Sequence, residues 1–215
     1  YQDVAGAYRA LQQGKIDALL QDQTTGRAEI SRGVDGVKIL DGDVSQSSIA
    51  VGISDYSTIA NENSINSCIN ELTNDGTIAD MESRWLDIGN YQMPSIDMPT
   101  SSKVLKVATS GTVEPFSFYK NGELTGFDVE LAKRIAKKLN AQIEFEVNIN
   151  YVSLIASTTS GKTDLLIANL YVTDERQQEM TLSIPYRTTR GMLIVRDYSK
   201  LKGYTSLEQL ANKTI

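Results

Sequence analysis

The segment 168–176 places a buried strand, a capping hydroxyl and an arginine in an order that suits carboxylate binding. The apolar run Asp164–Ala168 predicts a strand, and Thr173 is the candidate N-cap of a helix with Arg176 in its first turn. Such an order puts a fixed cation and unpaired helix N–H groups at the carboxyl end of a strand, where open α/β sheets bind ligands. A guanidinium can hold a carboxylate with two parallel hydrogen bonds. The alternative is an ordinary helix start with a solvated arginine.

The composition argues against several other functions. The chain has 215 residues, of which 40% are hydrophobic and 22% charged, as is ordinary for a soluble globular protein of one or two domains. A net charge of −6 without a Lys/Arg cluster argues against a nucleic-acid or anionic-membrane partner. The absence of histidine excludes Ser-His-Asp and Cys-His catalysis and removes the commonest zinc ligand.

No metal, cofactor or disulfide is expected from the remaining residue types. The single cysteine, Cys68, cannot form an internal disulfide and is expected in the core. The paired acids Asp41 and Asp43 fit a turn better than a cation site. No apolar run approaches the roughly 18 residues of a membrane span, and no signal peptide is recognisable. Because the chain begins at Tyr1 rather than Met and stops at Ile215 as a strand pattern begins, we expect an excised piece of a longer protein.

Strand and helix patterns alternate along the chain and predict an α/β sheet with helices on both faces. The segment Gly89–Ser102 contains Pro94 and Pro99 and no periodicity, so it is predicted to be a linker. Asn121 and Gly122 predict a tight turn. The expected helices lie near residues 4–11, 62–72, 77–85, 127–139, 153–160 and 206–210. The expected strands lie near residues 16–20, 37–40, 49–53, 104–108, 143–147, 164–168 and 189–195.

Six short motifs are spaced along the part of the chain that follows this linker. They are Val107–Thr109, Glu114–Phe118, Leu124–Ala132, Gly161–Asp164, Thr173–Arg176 and Ser183–Tyr186. In this order and spacing they resemble the extracellular solute-binding proteins of family 3, the polar amino-acid receptors of ABC transporters. The resemblance covers residues 104–215, and residues 1–86 resemble a later part of the same family. It implies an α/β, bilobed type II periplasmic-binding-protein-like fold, with one lobe complete and the other incomplete.

The resemblance implies an unusual order of the two halves. A family member runs from the first lobe to the second and back, whereas here second-lobe sequence comes first. A fragment across two tandem modules and a circular permutant both fit, and either lacks roughly 20–25 residues, about one strand and one short helix. The implied division is the C-terminal part of a second lobe at 1–50, return helices on the first lobe at 51–88, the linker at 89–102, the first lobe of the following module at 103–196, and a hinge with the start of its second lobe at 197–215.

The resemblance also assigns a charge to each lobe. Arg176 matches the arginine that pairs with the α-carboxylate of the ligand. Asp22, with Gln21 beside it, matches the second-lobe aspartate that accepts from the α-ammonium. One cation and one anion on opposite lobes would bind the two charged groups of a zwitterion and couple binding to lobe closure. We therefore expect Asp22 and Arg176 to face each other across a cleft. A solvated strand end is the alternative for Asp22.

Further positions are assigned in the same way. Tyr151 matches an aromatic that packs over the ligand, with simple packing as the alternative, and Asn169 and Tyr171 match turn positions that meet the carboxylate. Ser110 stands where many members have an acid and remains a candidate contact.

Departures from the family pattern bear on the ligand. Val113 replaces the usual stacking aromatic, and Tyr171 replaces a residue that is often small, so a small or neutral polar amino acid is expected rather than arginine. Phe116 and Tyr186 are expected in the core.

The resemblance leaves the role of the parent protein open. A transport receptor that delivers an amino acid to a membrane permease is the first hypothesis, located outside the cytoplasm and tethered through the parent protein. A ligand-sensing tandem module before a kinase or cyclase domain is the second, and loss of binding would leave a scaffold. An enzyme on the same fold is the third, but no paired carboxylates support it. A lobe that lacks a strand exposes an edge, so a strand-exchanged dimer is a further hypothesis.

Overall fold

The chain divides into two compact units, one formed by residues 1–47 with 188–215 and the other by residues 48–187. The computed structural model describes residues 4–40, 46–86, 91–198 and 211–215. The predicted turn at Asp41–Asp43, the predicted helix at 206–210 and part of the predicted linker lie outside these described residues. Within the described ranges, no helix combines the length and apolar character needed to cross a membrane.

Helices and strands alternate along most of the chain, as the sequence predicts. The helix at Gln23–Ser31, the strand at Thr181–Leu182 and the three short strands between Thr112 and Thr125 were not expected as elements. The helices are α1 Val4–Gln12, α2 Gln23–Ser31, α3 Glu62–Asn74, α4 Thr77–Trp85, α5 Phe127–Lys138, α6 Tyr151–Thr159 and α7 Asp174–Glu179. The strands are β1 Ala18–Asp22, β2 Val37–Leu40, β3 Gln46–Ile53, β4 Val104–Thr109, β5 Thr112–Val113, β6 Ser117–Lys120, β7 Glu123–Thr125, β8 Gln142–Val147, β9 Leu165–Tyr171, β10 Thr181–Leu182 and β11 Arg187–Arg196.

The first unit contains an antiparallel sheet with β11 paired to both β1 and β2. Tyr8 and Leu11 of α1 pack against Met192 and Ile194 of β11, because these residues share one apolar face. The residues of β11 that alternate with these, including Leu193, form a second buried cluster with residues of β1 and β2. The sequence assigns residues 189–195 to the first lobe, whereas in the structure this strand pairs with β1 and β2.

The second unit is built on a sheet in the order β3, β9, β4, β8, with β10 added on β3. Strand β4 runs parallel to β8 and β9, and β3 runs antiparallel to β9. One sheet face packs against α3, α4 and α5 in the largest core cluster, and the other packs against Leu154 of α6. Strands β5, β6 and β7 form a separate small sheet, in which Asn121 and Gly122 make the predicted turn with φ values of 54° and 84°.

A buried carboxylate joins α4 to α5. Glu130, which is fully buried, accepts hydrogen bonds from both Nη atoms of Arg84 at 2.9 and 2.8 Å, from Nε1 of Trp85 at 2.6 Å and from Nε of Arg134 at 2.8 Å. Burial alone would raise the pKa of Glu130, but these three partners outweigh it and hold the pKa below its usual value. The helix that precedes the predicted linker is thus fixed to the helix that follows it.

The predicted linker has neither helix nor strand over its described residues 91–102. It nevertheless lies on the core, since Tyr91, Met93 and Met98 pack against the largest cluster. The ring of Tyr91 stacks on Trp85 with 6.2 Å between centroids.

Candidate functional site

Strand β9 contains the first residues of the segment 168–176, and it has a bulge near its carboxyl end. Leu170 pairs with Ala50 of β3, but the next pair is Leu166 with Gly52, so β9 has two extra residues in between. Asn169 lies in this bulge with a left-handed φ of 51°. Its backbone N–H donates to Oδ2 of Asp128 at 2.7 Å, in the first turn of α5.

Asp128 is the centre of a buried polar group behind the end of β9. Its Oδ1 accepts from the hydroxyl of Tyr186 at 2.9 Å, and burial followed by the charge of Asp128 raises the pKa of that tyrosine. The side-chain oxygen of Asn169 accepts from Nη1 of Arg187 at 2.9 Å. The guanidinium of Arg187 also lies 4.8 Å from the ring centroid of Phe116. Tyr186 and Phe116 are buried in the core, as predicted.

Arg176 lies in the short helix after β9, and the predicted helix cap is confirmed. Oγ1 of Thr173 accepts from the backbone N–H of Arg176 at 3.3 Å. Helix α7 has only six residues, so the guanidinium rather than the helix terminus carries the site. Nη1 of Arg176 donates to the carbonyl oxygen of Tyr171 at 2.8 Å. Among the described residues, no carboxylate forms an ion pair with this guanidinium, and its other N–H groups make no hydrogen bond.

Tyr151 forms the wall beside Arg176. It is the first residue of α6, whose N-cap is Asn150, and the guanidinium of Arg176 lies 5.2 Å from its ring centroid. The Tyr151 hydroxyl is buried and has no hydrogen-bond partner in the described part of the chain. Burial raises the pKa of Tyr151, and the nearby charge of Arg176 opposes this rise only in part. Tyr171 is half-buried and packs against the largest core cluster.

Ser110 follows β4, which runs parallel to β9. Ser110 and the carboxyl end of β9 therefore belong to the same edge of the sheet. Its hydroxyl is within 2.8 Å of the Ser117 hydroxyl, and only 4% of the residue is exposed. Asn169 likewise uses its side chain inside the unit. The structure therefore brings Arg176, Tyr151 and Tyr171 together, while the side chains of Ser110 and Asn169 bond to Ser117 and Arg187.

Asp22 and Gln21 end strand β1 in the first unit. Asp22 is 3% exposed, so the alternative of a solvated strand end is wrong. It caps helix α2, because its Oδ1 accepts from the backbone N–H of Thr25 at 2.9 Å, and its Oδ2 accepts from the hydroxyl of Thr189. Oε1 of Gln21 accepts from the hydroxyl of Tyr8 at 2.8 Å. The facing of Asp22 and Arg176 across a cleft stays a prediction.

Sequence reasoning missed Asp128 and Arg187 as members of the polar group. Asp128 directly follows Phe127 at the start of an amphipathic helix, where an acid is ordinary, so nothing local marks it. Among the described residues, no group of three or more potential metal ligands converges.

Comparison with known proteins gives matches to amino-acid receptors. The family model described as bacterial extracellular solute-binding proteins, family 3, matches residues 105–215. A probable histidine-binding protein of Campylobacter jejuni is 38% identical over 104 residues, which cover 48% of this chain and 38% of that protein. The arginine-binding extracellular protein ArtP of Bacillus subtilis is 34% identical over 116 residues, which cover 54% of this chain and 44% of that protein.

A further relative is named for transport. The probable amino-acid ABC transporter-binding protein of Haemophilus influenzae is 29% identical over 120 residues, which cover 52% of this chain and 46% of that protein. The chain thus spans less than half the length of each of these relatives.

Proposed function

Because this chain belongs to the bacterial extracellular solute-binding proteins of family 3, we propose that it is a receptor module that binds a polar amino acid for an ABC transporter. The observation that carries the proposal is the guanidinium of Arg176, which has hydrogen-bond donors and charge without an acid partner in the described residues. It lies against the ring of Tyr151 at the carboxyl end of β9. This arrangement suits the α-carboxylate that every free amino acid carries.

The proposed ligand is a small or neutral polar amino acid, held outside the cytoplasm. The ring of Tyr151 limits the space above the guanidinium of Arg176, and Tyr171 stands where the family often has a smaller residue. Two of the relatives are named for histidine and arginine. A ligand screen must therefore compare these two amino acids with the small and neutral polar ones. Asp22 remains the proposed partner of the α-ammonium, reached by lobe closure.

Binding rather than catalysis is proposed for this module. The chain has no histidine, and its buried acids Asp128 and Glu130 already accept hydrogen bonds from protein donors. Neither is a general base near Arg176 that lacks partners. The relatives reported above are named as binding proteins, which supports the same reading.

Arg176 can be tested by titration of the chain with each of the twenty amino acids. Calorimetry detects tight binding, and the side-chain Nε–Hε resonance of Arg176 in ¹⁵N spectra detects millimolar binding. Arg176→Ala should weaken the best ligand by about 2 kcal/mol, roughly thirtyfold in Kd, because a charge-assisted pair is lost. The melting temperature should hardly change, since the side chain of Arg176 makes a single hydrogen bond to the described residues.

Two controls separate a specific effect from a general loss of charge. Arg176→Lys keeps the charge but removes the planar fork, and it should recover only part of the affinity. Arg9 is an exposed arginine of α1, so Arg9→Ala makes the same change in net charge and should leave Kd unaltered. Equal affinities of wild type and Arg176→Ala would refute the assignment of Arg176. A clear preference for arginine would refute the proposed ligand class only.

A further inference from the structure

The buried carboxylate of Asp128 connects the end of β9 to helix α5. We propose that Asp128 is a positioning residue for Arg176, because it fixes the bulge that sets the positions of Tyr171 and of the helix that follows β9. The inference rests on the proposed function of Arg176. It assigns a binding role to a side chain that touches neither the guanidinium nor, on this reading, the ligand.

The bulge needs support from outside the strand ladder. Residues 167–169 of β9 lie opposite Val51 alone, so the ladder between β3 and β9 is interrupted there. The N–H of Val51 donates to the hydroxyl oxygen of Ser183 at 2.9 Å, and its carbonyl accepts from the N–H of Ser183 at the same distance. These two bonds continue the pairing of β3 with β10, on the side of β3 away from β9, so they give the bulge no support. The Asn169 N–H, which the ladder leaves out, goes to Asp128.

The backbone of Asn169, not its side chain, is what the contact positions. Its side-chain oxygen already accepts from Arg187, and the residue is 8% exposed. An asparagine is among the few residues that adopt a left-handed conformation at low cost. Asp128 adds a charge-assisted hydrogen bond that selects this conformation, at an N–H···O distance of 2.7 Å.

The bulge sets the register of everything that follows on β9. The ladder resumes at Leu170 and Tyr171, which pair with Ala50 and Ile49. A different number of residues in the bulge would shift these pairs and turn the side chains to other faces. The carbonyl of Tyr171 holds Nη1 of Arg176, so a change in the bulge reaches the guanidinium through the backbone.

A first experiment needs no ligand. In the ¹⁵N-labelled full chain, Asp128→Asn should shift the backbone amide of Asn169 and the Nε–Hε resonance of Arg176. The amide side chain has a single oxygen acceptor for two donors and has no charge. Glu130→Gln is the matched control, since it neutralises a second buried acid of α5 that contacts α4. It should lower the melting temperature and leave both resonances in place. An unchanged Arg176 resonance in a folded Asp128→Asn variant would overturn the inference.

A second experiment measures binding of glycine, which has only the carboxylate and ammonium common to all α-amino acids. Asp128→Asn should raise the Kd for glycine about tenfold, and Glu130→Gln should not. If wild type binds none of the twenty amino acids while the Arg176 resonance still follows Asp128, the proposed function fails and the positioning role stands. If Arg176→Ala weakens glycine binding and Asp128→Asn does not, only the positioning role fails.

A pair of variants at Asn169 keeps the test decisive even if Asp128→Asn unfolds the unit. Asn169→Gly and Asn169→Ala both delete the side-chain contact with Arg187, but only alanine disfavours the left-handed backbone. Glycine at this position should keep the Arg176 resonance and the glycine affinity, and alanine should alter both. Equal losses in the two variants would show that the side chain matters instead of the backbone, which would overturn the inference.

Discussion

Replacement of Glu130 by glutamine should destabilise the second unit much more than replacement of any exposed acid. Glu130 is fully buried, and its two oxygens serve Arg84, Trp85 and Arg134. Glutamine keeps the size of the side chain and one acceptor oxygen, but it removes the charge and cannot satisfy all these donors. The contact between α4 and α5 therefore loses its electrostatic part while the packing around it remains.

The magnitude follows from the exposure of the partners. Removal of one member of a buried ion pair costs about 3–5 kcal/mol. The side chains of Arg84 and Arg134 are 20% and 25% exposed, so water recovers part of their hydration and the cost lies at the lower end. We expect a loss of about 3 kcal/mol, which at about 2–4 °C per kcal/mol corresponds to a fall in Tm of roughly 6–12 °C.

The assay is thermal unfolding followed by tryptophan fluorescence. Trp85 is the single tryptophan of the chain, is fully buried, and donates to Glu130, so its signal reports on the second unit. Glu71→Gln is the control, because it removes the same charge from an exposed pair with Lys138 and should leave Tm unaltered. Equal Tm values for the two variants would refute the argument that burial makes the Glu130 cluster strong.

Two further predictions concern acid stability and backbone space. The lowered pKa of Glu130 stabilises the fold above the ordinary glutamate pKa of about 4.3, and this contribution is lost as the pH falls through the lowered value. Trp85 fluorescence during acid titration should show wild type losing more stability in that range than Glu130→Gln, and parallel curves would contradict the linkage. Gly126→Ala should lower Tm sharply, since its Cβ would meet the Phe116 carbonyl and φ is 129°. Gly122→Ala, with φ 84° but open space, should cost less in the same melt, and equal costs would exclude the clash as the cause.

Elements with a strong local pattern could be predicted from the sequence. The stripe Phe127, Leu131 and Ile135 is fully buried in α5, and Cys68 is buried in α3, as expected from helical spacing. Thr173 was identifiable as a cap because its side chain acts three residues away, within the reach of a local signal. The family match to residues 105–215 likewise confirms motifs that are local in sequence.

Features that depend on distant partners could not be predicted. Helix α2 has little apolar periodicity, and it is held by the Asp22 cap and by the close approach of Gly26 to Met192 of β11. Asp22, a residue type that often caps helices, was a usable signal for that helix start. The bulge in β9 had no such signal, because it is defined by the pairing of β9 with β3, a strand that is remote in sequence. Asp128, whose carboxylate accepts from the N–H of Asn169 in the bulge, lies 41 residues away from it in sequence.

The two buried acids of α5 explain how one helix can serve both stability and a binding site. Asp128 and Glu130 are two positions apart, about 200° around an α-helix, so they point to nearly opposite sides. Glu130 is directed to α4, and Asp128 is directed to β9 and Tyr186. Neutralisation of the first should therefore change melting without binding, and neutralisation of the second should change the position of Arg176. A helix that holds the core with one acid has the rigidity needed to fix a bulge with the other.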